Sequence, residues 1–221
     1  ALYSNSNATH NAAFGYHSML NTTTGVANSA FGFAALGANT TGDGNVAVGT
    51  WSGPSAANLS YTIAVGYFAA PNISNRAVIG TVANNNLTGG FGAWQNLSDG
   101  RFKRQVKEDV PGLAFITKLR PVTYTLDARA VDSFLGIAQR MDTLTDEVGK
   151  ARYQQRLAEV SAEVQTGFIA QEVEAAARSI NYDFAGVHHP VSEADHYTIG
   201  YDAFVMPLVK AVQELNTQVE E

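Results

Sequence analysis

The chain has 221 residues, 45% of them hydrophobic, and a net charge of −6 at pH 7, which is enough apolar sequence for a core in one or two domains. The absence of cysteine excludes disulfides and thiolate metal sites. The acidic balance argues against a protein that coats nucleic acid. No apolar run reaches the roughly 18 residues of a membrane helix, so we expect no membrane insertion.

Charge density divides the chain into two parts. Of the 14 basic and 20 acidic residues, only Asp43, Arg76 and Asp99 lie before Arg101. The neutral first part is rich in Asn, Gly and Thr, whereas the charged second part has the composition of helices with solvated faces. We therefore predict a turn-rich repetitive part and a helical part, joined by a linker at residues 83–97.

Short motifs recur through the first part. Each combines Ala with Phe, Val or Ile and closes on glycine, at positions 15, 32, 49, 66 and 80: NAAFG, NSAFG, NVAVG, TIAVG and RAVIG. A fixed period of this size predicts a solenoid in which each unit packs only on its neighbours. Alternating Ala and Val, Ile or Phe indicates a strand, and the closing glycine permits a positive φ angle.

These units resemble the head repeats of YadA-like trimeric adhesins, which also occur in phage tail fibres. The resemblance covers about residues 5–82, although the repeat here is longer than the unit typical of such heads. It implies a left-handed parallel β-roll in which three chains pack side by side. The many Asn-x-Ser/Thr triplets of this part, from Asn7 to Asn96, are expected from its turn-rich composition rather than from glycosylation.

The second part alternates helical and strand patterns. Apolar spacing predicts a helix over 113–119, a short strand over 122–126, a polar helical stretch over about 132–164 and a helix beginning near 167. The last predicted helix carries apolar residues at alternating steps of three and four, which is the a/d pattern of a coiled coil and also of a helix packed in a core: Val205, Leu208, Val212, Leu215 and Val219.

Three histidines in the loop before this helix are the only candidates for a metal site. His188, His189 and His196 match no zinc-ligand spacing, so we expect solvated or hydrogen-bonded side chains and neither a metal nor another cofactor. His17 lies in a repeat with no base or ligand nearby in the sequence, and we assign it no chemistry.

Four motifs of the second part resemble the intramolecular chaperone domain of phage endosialidase tailspikes. They are SDGRFKRQV, KLRPVTYTLD, GFIAQEVE and YDAFVMPLVKAVQEL, and they occur in family order between residues 98 and 215. This domain belongs to a family of self-cleaving peptidases that also occurs in other phage fibres and in bacterial surface proteins. The resemblance implies a mainly α-helical trimerising domain over 98–221, with a short β element and a coiled-coil-like terminal helix.

The resemblance also assigns residues to a cleavage reaction. It implies that Ser98 is the nucleophile, that Lys103 is the base and that the bond between Leu97 and Ser98 is cut. Asp99 follows as a supporting residue that caps a helix. Gln171 and Glu172 fall in a family motif, and we leave open whether they support the site or are ordinary helix-surface groups.

Elementary chemistry constrains such a pair. A serine hydroxyl needs a neighbouring base, and a lysine is a base only when it is uncharged, a form that burial favours. Five residues of an α-helix span about 500°, so the two side chains would point apart within one helix. We therefore predict that Ser98 precedes a helix that begins near Asp99 and holds Lys103 in its first turns.

Two functional hypotheses follow. The first is a homotrimeric chaperone that folds its own N-terminal fibre and then releases itself by cleavage. We expect it to act outside the cell, on a virion tail fibre or a bacterial surface. A cell-surface receptor is a further expected partner. The second is a fibre or adhesin with a permanent trimer clamp. A hydrolase acting on other molecules lacks a recognisable carboxylate pair. The long segment 128–165 predicts a protruding helical arm beside the fibre.

Overall fold

The computed structural model describes residues 1–84, 96–142 and 146–220, so most of the predicted linker 83–97 lies outside the described residues. Contacts divide the chain into two compact units, each made of two segments. Unit 1 comprises Ala1–Asn86 and Thr125–Glu163, and unit 2 comprises Leu87–Tyr124 and Val164–Glu221. The predicted boundary at residue 98 follows sequence motifs and stays a prediction, whereas these units follow packing.

The first segment of unit 1 is a parallel β-solenoid, as predicted. Its five strands pair in sequence order, and partner residues are offset by the spacing of the sequence repeat, as in the chain of partners Ala13, Ala30, Ala47, Ala64 and Val78. The strands are β1 (Ala12–Phe14), β2 (Ser29–Phe31), β3 (Val46–Val48), β4 (Ile63–Val65) and β5 (Ala77–Ile79). The trimeric state and the left-handed sense of the roll stay predictions.

Glycine closes each strand for the reason that the sequence indicates. Gly15, Gly32, Gly49 and Gly66 have φ angles between +122° and +137°, a region that other residues rarely adopt. A Cβ atom on Gly32 would also lie only 2.6 Å from the carbonyl oxygen of Gly49 in the next turn. These glycine positions exclude a side chain for two reasons: the backbone conformation and the close approach of successive turns.

A ladder of asparagines joins the turns inside the solenoid. The side-chain oxygen of Asn11 accepts from the backbone N–H of Asn28 at 2.8 Å, and that of Asn28 accepts from the N–H of Asn45 at 2.9 Å. The side-chain nitrogen of Asn28 donates to the carbonyl of Gly42 at 2.9 Å. Asn28 and Asn45 are fully buried, so these bonds satisfy polar groups that water does not reach.

Three helices form the second segment of unit 1: α2 (Ala128–Phe134), α3 (Ile137–Asp142) and α4 (Glu147–Ala162). Two of them begin at an aspartate N-cap, because Asp127 accepts from the N–H of Ala130 and Asp146 accepts from the N–H of Gly149. The segment is helical, as predicted for 128–165, but it does not protrude. It packs on the solenoid of its own chain.

A common core joins these helices to the solenoid. Phe68 and Ala70 of the solenoid share it with residues of all three helices, and Trp51, Val82, Ala83 and Leu135 lie at its edge. The helical members are Ala128, Ile137, Met141, Tyr153, Leu157 and Val160. The amphipathic pattern predicted that these helices bury one face, but it carried no information about which surface would cover that face.

Unit 2 is built around an aromatic cluster and contains a 3-10 turn at Gly100–Phe102 that holds the candidate site. Its other elements are α1 (Leu113–Ile116), β6 (Val122–Thr125), β7 (Val164–Gly167), α5 (Ala170–Arg178), β8 (Val187–His188), β9 (Thr198–Ile199), a second 3-10 turn at Tyr201–Phe204 and α6 (Val205–Glu220). Strands β6 and β7 pair, and the chain between them forms the helical segment of unit 1. None of the helices in the described ranges is long and apolar enough to cross a membrane.

The core of unit 2 consists of Phe115, Val173, Ala176, Ala177, Phe184 and Phe204. The rings of Phe115 and Phe184 lie 4.9 Å apart, and those of Phe184 and Phe204 lie 4.7 Å apart. Helix α1 meets α6 closely at Gly112, where a Cβ atom would lie 2.6 Å from the backbone nitrogen of Ala211. The carboxylate of Glu214 accepts from the N–H of Leu113 at 2.7 Å and so satisfies a free group at the start of α1.

We expect Gly32→Ala to lower the free energy of unfolding by at least about 2 kcal/mol, because its Cβ atom would clash with the next turn and its φ angle is strained. Gly100→Ala is the matched control, since a Cβ atom there would meet nothing within 4 Å. Thermal unfolding of both variants measures the difference. Equal midpoints would contradict the stacking constraint.

A buried carboxylate in unit 1 makes stability depend on pH. Asp132 is almost fully buried, and Tyr153 donates its hydroxyl to it at 2.6 Å. Burial raises the pKa of Asp132, against the lowering effect of that hydrogen bond, and burial with the Asp132 contact raises the pKa of Tyr153. The folded state therefore binds a proton more tightly than the unfolded chain, and stability falls as pH rises from about 4 through the folded pKa.

Asp132→Asn removes this dependence while it leaves an oxygen for the hydroxyl of Tyr153. At each pH we compare the melting temperature of the variant with that of the unsubstituted chain. We expect the difference, variant minus unsubstituted chain, to be larger at pH 7 than at pH 4. Thermal unfolding across this range measures the difference. An equal difference at both pH values would show that burial of the ionised Asp132 carboxylate does not destabilise the fold.

Candidate functional site

The 3-10 turn at Gly100–Phe102 brings the ends of the SDGRFK motif together. Asp99 is its N-cap, with an extended backbone, and its carboxylate accepts from the N–H of Arg101 at 2.8 Å. Lys103 follows the turn in an extended conformation, and its N–H donates to the carbonyl of Gly100 at 3.2 Å. The predicted start of helical structure beside Asp99 is therefore present.

The predicted place of Lys103 within the first turns of a helix is wrong. Lys103 has φ −82° and ψ 138°, and Gln105 then adopts a left-handed φ of +54°, so the helical conformation ends after one turn. A 3-10 turn is tighter than an α-helical turn and is used in short pieces. The lysine side chain therefore reaches back to the serine from beyond the turn rather than from inside a helix.

Ser98 and Lys103 are in direct contact. The Nζ atom of Lys103 donates to the Oγ atom of Ser98 at 2.8 Å. This is the distance that a nucleophile and its base require for proton transfer. The geometry can thus support serine activation once the lysine is uncharged and the hydroxyl donates in the opposite direction.

The charged neighbours of the pair bind one another or the backbone. Arg101 forms a bidentate contact with Asp99, and its hydrogen bonds lower the pKa of Asp99 while Asp99 raises the pKa of Arg101. Arg104 donates to the carbonyl oxygens of Arg101 and Lys103 at 2.7 and 3.0 Å. Asp99 therefore acts as a cap and as the partner of Arg101, and it makes no hydrogen bond to Ser98 or Lys103.

The pair lies on an open surface of the chain. Ser98 and Lys103 are exposed, and so are three apolar side chains beside them: Leu97 at 83%, Phe102 at 66% and Val106 at 78%. Covering apolar side chains of this size removes them from water and lowers the free energy. The single chain therefore shows the contact between the two reactive groups without the burial that favours an uncharged lysine.

The other predicted supporting residues lie elsewhere in unit 2. Gln171 is exposed, and Glu172 binds Arg120 through two hydrogen bonds of 2.5 and 3.0 Å. The pKa of Arg120 is raised by these contacts. Within the described residues, neither Gln171 nor Glu172 makes a hydrogen bond or an ion pair with Ser98 or Lys103. Arg120 lies in the second family motif, but the sequence does not indicate that it pairs with Glu172.

The loop histidines form hydrogen bonds to acidic and phenolic groups. His188 binds Asp195 at 2.7 Å, and His189 binds the hydroxyl of Tyr197 at 2.9 Å and the carboxylate of Glu174 at 3.1 Å. Across residues 1–84, 96–142 and 146–220, no three His, Asp or Glu side chains are grouped as metal ligands.

Arg120 and Glu172 lie 52 residues apart in the chain, and their pairing connects the second and third motifs. Because both side chains are largely exposed, we expect Arg120→Ala and Glu172→Ala each to lower the unfolding midpoint only slightly. The double variant should be as stable as the less stable of the two single variants, because both changes remove the same interaction. A double-mutant cycle measures this coupling, and fully additive losses would contradict it.

The Ser98–Lys103 pair lies in a part of the chain that matches a known protein family. Residues 98–182 match the model of the peptidase family described as chaperone of endosialidase. The match begins at Ser98. No curated protein and no solved structure matches the chain. The resemblance of residues 5–82 to YadA-like heads stays a prediction, whereas the match over residues 98–182 supports a C-terminal domain similar to the chaperone of endosialidase.

Proposed function

We propose that the chain is a trimerising intramolecular chaperone that assists the folding of its own β-solenoid and then cuts itself between Leu97 and Ser98. The observation that carries this proposal is the 2.8 Å contact between Lys103 Nζ and Ser98 Oγ at the first residue of the family match. The reaction needs no cofactor, because the serine supplies the nucleophile and the lysine supplies the base.

The proposed reaction begins with uncharged Lys103. It removes the proton of the Ser98 hydroxyl while Oγ attacks the carbonyl carbon of Leu97. The bond from this carbon to the Ser98 nitrogen then breaks, and that nitrogen takes the proton back from Lys103. Water hydrolyses the resulting ester, which leaves a carboxylate on Leu97 and a free hydroxyl and amine on Ser98.

Two observations support assembly as the step that activates the lysine. The first is the exposure of the apolar residues Leu97, Phe102 and Val106 around a pair that needs burial. The second is the terminal helix α6, which buries Pro207 and Ala211. Its predicted a/d residues remain between 47% and 85% exposed: Val205, Leu208, Val212, Leu215 and Val219. An apolar seam of this length on one helix is suited to pairing with the same seam of other copies.

The solenoid has the properties of a client that needs assembly. Phe14 and Phe31 are exposed at successive strand ends with their rings stacked 4.8 Å apart, and Val48 and Ile79 continue the row. Such a row along a thin roll is suited to packing against other copies. The family indicates a phage tail fibre, and we propose an extracellular site of action on a virion fibre or a bacterial surface.

The second candidate function is a permanent trimer clamp that does not cut. The observation that favours it is the exposure of both reactive side chains, since the proposed reaction needs a burial that the single chain does not provide. The two candidates share the helix seam and the solenoid client, and they differ only in whether assembly completes the site.

We expect purified chain to give two masses split before Ser98, and we expect Ser98→Ala and Lys103→Ala each to stay whole. Lys107→Ala is the matched control, because Lys107 is also exposed and directly follows the same motif but makes no hydrogen bond to the serine. Intact-mass spectrometry measures the fragments. If Lys103→Ala is cut as fully as Lys107→Ala, lysine is not the base. If the unsubstituted chain stays whole as a trimer, the clamp is the function.

A further inference from the structure

The core of unit 1 joins residues from both sides of the proposed cleavage site. We call the second segment of this unit, Thr125–Glu163, the docking segment. It follows Leu97 and Ser98 in the chain, so cleavage would place it in the C-terminal product. Its partners Phe68 and Ala70, together with Trp51 at the edge of the core, would remain in the N-terminal product.

The apolar contacts between these two parts are extensive. Phe68, Ile137, Leu157 and Val160 are all at most 1% exposed. The rings of Trp51 and Phe68 stack at 6.1 Å within the solenoid. Separation of the docking segment from the solenoid would expose these side chains to water, which opposes dissociation in proportion to the apolar area uncovered.

Polar contacts fix the same surface. Arg140, whose pKa is lowered by burial, donates to the carbonyl of Pro54 at 3.0 Å. Arg156 donates to the carbonyl of Ala83 at 3.0 Å. Hydrogen bonds from a charged donor are stronger than those between neutral groups, and both of these bonds join the docking segment to the solenoid. The docking segment is thus held by both apolar burial and directed bonds.

We propose that the docking segment keeps the C-terminal product bound to the solenoid after the chain is cut. The partner surface is the solenoid of the same chain around Phe68, and the ligand is the helical face that carries Ile137, Leu157 and Val160. The role of this surface in the cell rests on the proposed cleavage, but the binding itself does not. Release of the chaperone therefore requires a second event that detaches the docking segment, beyond hydrolysis of one peptide bond.

The test cuts the chain by other means. A site-specific protease sequence is inserted between Asn96 and Leu97, which are both exposed, in the full chain that carries Ser98→Ala. After complete digestion, the products are separated by size-exclusion chromatography under native conditions and analysed on a denaturing gel. We expect both products in one peak in equal amounts. Elution in separate peaks would overturn the proposal.

Three variants of this chain assign the binding to the docking segment. A Gly-Ser linker long enough to rejoin the ends of the paired strands β6 and β7 can replace residues 126–163, and the digested products should then separate. Leu157→Asp places a charge in the core and should also separate them. Val148→Asp lies on the same helix, but Val148 is 62% exposed, so this control should keep them together. Products that stay together in the first two variants would show that another contact holds them.

This design separates the two proposals. Because Ser98→Ala prevents self-cleavage and an added protease makes the cut, the chromatography reports on binding alone. A chain that never cuts itself would refute the proposed reaction and leave the result of this test unaffected. Conversely, separated products would refute retention while the cleavage chemistry still stands.

Discussion

The close stacking of thin turns is the constraint on which the rest of unit 1 depends. Glycines such as Gly32 let one turn approach the carbonyl of the next, and the asparagine ladder satisfies the backbone groups that the approach buries. The interior accepts only small residues at most strand centres, as at Ala30, Ala47 and Ala64. A turn of this kind buries little by itself, so the solenoid relies on neighbouring surfaces: the next turn, the docking segment and, in our proposal, other copies.

The same constraint explains why a chaperone would be joined to this roll. The docking segment covers the successive turns that contain Trp51 and Phe68, while the row that begins at Phe14 and Phe31 remains exposed. A chain that carries its own trimerising domain can bring three such rows together at a high effective concentration. The proposed cleavage site lies in the chain between the solenoid and the docking segment, so in our proposal one cut severs the backbone while their common core remains.

The sequence was sufficient for features that depend on local repetition. The repeat spacing predicted the strand register, and the positive φ angles of the closing glycines were confirmed. The contact of Ser98 with Lys103 agrees with the pair that the family resemblance implied, and the catalytic roles of the two residues stay predictions. The helix expected around Lys103 was not found, because the 3-10 turn ends at Phe102 and Lys103 itself has an extended backbone. A single 3-10 turn and the start of a longer helix use the same capping residues, so the motif does not distinguish them.

Features that depend on long-range partners were missed for a general reason. The pattern of α4 shows which face is apolar, yet a solenoid, another helix or a neighbouring chain would satisfy that face equally well. The pairing of Arg120 with Glu172 likewise joins two motifs that were identified separately. Such contacts depend on topology. Strands β6 and β7 pair, and the segment between them, Thr125–Glu163, belongs to unit 1 rather than to unit 2.

The central claim is that assembly turns an exposed serine-lysine contact into a cleavage site. The most direct measurement compares the unsubstituted chain with Val212→Asp/Leu215→Asp, two changes on the exposed seam of α6, by native mass for assembly and by intact mass for cleavage. Gln218→Asp on the same helix is the control. The account predicts a trimer cut before Ser98 for the unsubstituted chain and the control, and a monomer that stays whole for the double variant. A monomeric double variant that is cut as completely as the unsubstituted chain would contradict it.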